Sequence, residues 1–236
     1  MRARGALAIA LWSAVTTTAA ATPVPLHEIG AGPQTPAMCG NVVVHANAAI
    51  AAVLHADAVL ARSIGRLRAI DFETFTAARR TGMTELARLA ADVGESGDRG
   101  RDEVRRLREY VDHPAGADRS ADLRAFADAL DNVLDRQRRM GTDLGSFLSA
   151  VDLRDLRDVR DLQERSLPPG LGGGDPAPGA RPASPASGVP PAILERERSP
   201  NGMARSMAED LDARLGALGA EEGRAQERSE AAVSGC

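Results

Sequence analysis

The chain has 236 residues, with 29 basic against 33 acidic side chains, a net charge of −4 and only 3% aromatic residues. Every basic residue is Arg. An acidic chain this poor in aromatics lacks the basic patches and stacking platforms of a nucleic-acid binder, and without Lys it has no Gly-Lys phosphate loop.

The first residues read as a secretory signal peptide over 1–21. Arg2 and Arg4 form a basic start, "GALAIALWSAV" an apolar core, and "TTTAAATP" the small residues around a cut after Ala21. The apolar run is too short to span a bilayer. This leader places the mature protein in the periplasm or outside the cell. Its loss leaves 27 basic and 33 acidic residues, a charge of −6, and removes Trp12. Residues 22–39 are rich in Pro and Gly and are expected to be irregular. Two cysteines, Cys39 and Cys236, fit one disulfide in an exported chain.

From about 40 to 165 the pattern is helical. Val43, Ala46, Ile50, Val53, Asp57, Leu60, Ile64 and Leu67 alternate steps of three and four, which lines one stripe of a helix. Residues 42–61 are apolar and long enough to cross a membrane. Asn47, Asp57, His45 and His55 lie within them and make that a minor possibility. A second helix is expected after Asp71 as N-cap, with Phe72, Phe75, Arg79, Gly82, Leu86, Leu89 and Val93 in phase. "GESGDRG" (94–100) is expected to break it. A short third helix then carries Val104, Leu107 and Val111 and stops at His113-Pro114.

The strongest stripe is Leu123, Phe126, Leu130, Val133, Gln137, Met140, Leu144, Phe147 and Val151. Its phase runs through Gly141 and Gly145, which predicts one long helix despite about 1 kcal/mol for each glycine. After Val151, "VDLRDLRDVRDLQE" (151–164) repeats every three residues. Steps of three fall 60° short of a turn. Leu153, Leu156, Val159 and Leu162 therefore spiral round the helix, and the stretch reads as a solvated end rolling away from its neighbours. Arg154 with Asp158 and Arg157 with Asp161 are spaced to pair along that surface.

Residues 166–200 hold nine of the 14 prolines and read as a disordered linker. Residues 201–232 then form an amphipathic helix with Met203, Met207, Leu211, Leu215 and Leu218 on one face, before a tail at 233–236. That face could dock on the bundle, bind a partner's groove, or belong to a fraying helix, given its glycines.

Candidate chemistry is sparse. Asp57 and Gln137 occupy core-type positions, which fits a ligand-binding polar pocket inside a bundle or a polar layer that sets register. His45 and His55 point apart on a helix, and Glu109 with His113 is a lone pair. No zinc spacing is present, so no metal site is expected. Met38, Met83, Met140, Met203 and Met207 are the residues a copper or haem carrier would draw on. Asp152, Asp155, Asp158 and Asp161 do not converge as calcium ligands should. No Gly-x-Ser-x-Gly elbow or thiol–imidazole pair points to nucleophilic catalysis.

The expectation is an all-α protein: an antiparallel three- or four-helix bundle with coiled-coil-like seams, a disordered Pro/Gly-rich linker and a short C-terminal helix. The expected function is that of an exported, non-enzymatic module without a cofactor that binds an envelope protein or surface, with self-association open. The alternative is a small-ligand or metal (copper/haem) carrier.

Overall fold

The computed structural model describes residues 25–30, 37–111, 120–166 and 199–234. The leader expected over 1–21, the bulk of the expected linker (167–198), Cys236 and His113 lie outside the described residues. Among the described residues there are four α-helices: α1 (Ala37–Ala69), α2 (Ala77–Val111), α3 (Ser120–Ser166) and α4 (Pro200–Ser234). They form an all-α, up-down-up-down bundle. Successive helices are antiparallel neighbours, α4 closes the ring against α1, and α1 meets α3 across the centre.

The stripes read from sequence are the core. In α1, Ala46, Ile50, Val53, Leu60, Ile64 and Leu67 are buried; in α3, Phe126, Leu130, Val133, Met140, Leu144, Phe147 and Val151 are buried. One face of each helix is removed from water, at about 25 cal/mol per Å² of apolar surface. α1 is long and apolar enough to cross a membrane by length and composition. In this fold its apolar stripe belongs to the shared core.

The structure corrects some of these expectations. The "GESGDRG" stretch does not break the chain, and 77–111 is one helix of 35 residues. Gly100 sits where three helices approach closely: a Cβ there would lie 2.7 Å from Leu134 Cδ2 and 3.1 Å from Ala52 Cβ, whereas one on Gly97 would make ordinary contact with Arg138 at 3.7 Å and one on Gly94 would meet nothing within 4 Å. Ser96 sits on the same face and donates to the Ala52 carbonyl of α1 at 2.9 Å. Tight packing, rather than chain reversal, accounts for Gly100 and Ser96, and nothing in the packing requires Gly94.

Asp71 does not cap α2. It accepts from the Glu73 backbone N–H at 3.0 Å and from Thr74, closing a turn between α1 and α2. Thr76 is the cap, its hydroxyl accepting from the Arg79 N–H at 3.1 Å. Phe72 thus reaches the core from the turn, edge-on to Phe147, while Phe75 is 66% exposed.

The C-terminal helix, expected to be short, takes the docking alternative. It has 35 residues, and its apolar face lies against α1 and α3: Ala204, Ala208, Leu211 and Leu218 are buried, with Met203, Met207 and Leu215 packed beside them. The stripe read as a candidate partner-binding face is thus occupied within the chain.

The three-residue repeat continues α3 as far as Ser166. Val151 is buried and Leu153 is 58% exposed, as a drifting phase requires. The drift also turns Asp155 back towards α2, where it pairs with Arg79. The stretch therefore still packs at 155 and is not wholly solvated. The side chains of Asp158 and Asp161, the partners expected for Arg154 and Arg157, lie outside the described residues.

Candidate functional site

Two places carry polar groups that the core does not explain. The first is a layer inside the bundle. Asp57 of α1 and Gln137 of α3, polar residues in apolar stripes, meet: Gln137 Nε2 donates to Asp57 Oδ1 at 2.7 Å and to the Val53 carbonyl at 3.0 Å. Both amide protons face acceptors, which fixes the orientation of the amide. Gln137 is fully buried, and its Oε1 has no partner.

Glu222 of α4 completes the layer. Burial foremost, then the neighbouring Asp57 carboxyl, push Glu222 up to about 8. Asp57 is also raised by burial, against the hydrogen bonds from Gln137 and Glu222. Both carboxyls are thus pushed towards the protonated form, and one proton held between them lets the pair hydrogen-bond rather than repel. Sequence reasoning singled out two of the three residues. Continuing the α4 stripe four residues past Leu218 lands on Glu222, the signal that would have found the third.

The second place is a groove of about 510 Å³ between the start of α2 and the later part of α3. Phe75, Met83 and Leu148 give it an apolar lining, and Arg79, Arg80, Asp152 and Asp155 its charges. Arg79 is 4% exposed. Its Nη2 binds Asp155, and its guanidinium lies 4.5 Å from the centre of the Phe75 ring. Nε and Nη1 of Arg79 are buried without a partner. A buried guanidinium with two idle donors is costly unless something else accepts from them.

The histidines are dispersed. His45 faces Glu103 at 2.6 Å and His55 faces Asp92 at 3.1 Å, both across α1 and α2. His27 joins Gln226 of α4. Among the described residues no group of three His, Cys, Asp or Glu side chains is placed to share a metal. Met140 is core, Met83 lines the groove, and Met203 and Met207 pack under α4; the side chain of Met38 lies outside the described residues. Cys39 is disulfide-bonded, and the chain's other cysteine is Cys236. The antiparallel register of α1 and α4, with Arg68 opposite Asp212, directs the end of α4 towards the start of α1.

No family model, curated protein or solved structure matches this chain.

Proposed function

We propose that this protein is an exported, non-enzymatic helical module that binds a partner protein of the cell envelope in the groove between α2 and α3. The leader over residues 1–21 supports export. One observation carries the binding reading: Phe75 is 66% exposed at the rim of an open apolar groove. A large aromatic held in water beside Met83 and Leu148 is the kind of anchor that interfaces use. The α4 stripe plays no part in this reading, because it is buried in the core.

Co-purification from the native host tests the proposal. Wild-type protein is expected to retain a specific partner, and Phe75→Asp to lose it. Val44→Ser, at an equally exposed apolar residue of α1 (63%), is expected to keep it. A partner retained equally by Phe75→Asp would sink the proposal.

Arg79 supports a second reading, a small acidic ligand in the same groove. A carboxylate could accept from Nε and Nη1 once the Phe75 ring moves aside. Binding of small carboxylic acids that Arg79→Gln abolishes, with no protein retained, would favour it over the first.

A further inference from the structure

α4 is held more lightly than the other helices. Among its described side chains six apolar residues are buried, and four of them are alanines: Ala204, Ala208, Ala225 and Ala232, beside Leu211 and Leu218. An alanine buries far less apolar surface than a leucine. Its ion pairs to the body, Arg68–Asp212, Arg214–Asp143 and Arg136–Glu221, are partly exposed, and such pairs contribute little. The middle of this thin seam is where Glu222 meets Asp57.

The groups around Glu222 leave its charge unopposed. Asp57 faces it from α1 and Glu221 adjoins it on α4, both acidic. From α3 come neutral Gln137 and Arg136, and Arg136 is engaged by Glu221 at 2.7 Å. Arg224 of α4 also turns to Glu221, at 3.8 Å. α2 lies across the bundle and supplies none of the charges acting on Glu222. Gln137 cannot take over, because both its amide protons are already given to Asp57 and Val53. Two carboxylates in hydrogen-bond contact cannot both ionise without strong repulsion.

We infer that the Asp57–Glu222 pair is a proton-binding site that controls the seating of α4 on α1 and α3. With one proton shared, the carboxyls form a hydrogen bond and α4 is closed. When the proton leaves, they repel, and the half of α4 around Glu222 lifts from the body.

The direction follows from linkage. Glu222 holds its proton up to about pH 8 in the seated helix, against an ordinary value of 4.5 once released. The seated state therefore binds more protons between those values. Closure is fully supported below about pH 4.5, weakens as pH rises towards 8, and levels off above it.

Hydrogen exchange of the intact, oxidised full chain between pH 5 and 9 tests this, with rates corrected for intrinsic pH dependence. The opening equilibrium of α4 peptides is expected to rise by up to about tenfold per pH unit and flatten above pH 8, while α2 peptides stay level. Glu222→Gln mimics the protonated carboxyl and should abolish the rise. Asp57→Asn, which removes the facing charge, should shrink it. The inference is overturned if α4 in the wild type varies no more than α2, or if Glu222→Gln keeps the wild-type slope.

Discussion

Gly141 and Gly145 stand one turn apart on α3 and do opposite things. A Cβ at Gly141 would come within 3.0 Å of Val93 Cγ1 and 3.2 Å of the Ala90 carbonyl; one at Gly145 meets nothing within 4 Å. Gly141 is thus the point where α2 and α3 approach, and Gly145 only adds backbone freedom to the unfolded chain. Gly145→Ala is expected to stabilise by about 0.5–1 kcal/mol. Gly141→Ala is expected to destabilise by about 1–3 kcal/mol, since the neighbours must give way. Urea midpoints of the two variants check both signs. The unbroken stripe showed that α3 continues through both glycines, but not which glycine touches a neighbour. That distinction depends on Val93, nearly fifty residues earlier in the chain. Asp57 and Gln137 were legible for a related reason: a polar residue in an apolar phase announces itself without knowledge of its partner.

At the scale of the element, α4 is fastened at its start by a single side chain. Asn201 Oδ1 accepts from the Phe72 N–H at 2.7 Å, and its Nδ2 donates to Asp71 Oδ1 at 2.9 Å. Hydrogen bonds from Thr74 and Asn201 hold Asp71 down to about 2. The turn between α1 and α2 therefore doubles as the seat for α4. Asn201→Ala is expected to cost about 1–2 kcal/mol, with lost exchange protection confined to the first turns of α4 and the 71–74 turn. Loss of protection spread evenly over the molecule would contradict that assignment. A comparable clasp acts on the N-terminal segment: Asn47 accepts from the Ile29 N–H at 2.7 Å and donates to its carbonyl at 3.0 Å, with Leu26 buried nearby. Periodicity identified 25–30 as irregular but could not show that it is pinned. Asn47 reads as an ordinary polar residue until the segment it clasps is known.

At the scale of the molecule, Cys39 at the start of α1 is disulfide-bonded. Cys236 is the chain's other cysteine, and the pairing expected from the sequence is a Cys39–Cys236 bridge. Such a bridge closes most of the sequence into one loop, and loops of that size give the largest loss of unfolded-state entropy. Reduction is expected to lower stability by about 2–5 kcal/mol, read as a fall in the thermal midpoint by circular dichroism. Alkylation of the unreduced, denatured protein should label no thiol, since no free cysteine is present among the described residues. An unchanged midpoint on reduction would show that the bond does not constrain the unfolded chain.

The sequence by itself determined the helical class, the phase of each buried stripe, the continuity of α3 and the two polar residues inside the bundle. These follow from the 3.6-residue repeat, which records which face of a rod leaves water whatever it packs against. Only the tertiary structure decided that α2 runs unbroken past its glycines, that α4 turns its apolar face inward, and that Asp155 returns to cover Arg79. It alone brought Glu222 to Asp57. Those outcomes depend on residues of different helices meeting, and a one-dimensional period holds no information about which rods become neighbours.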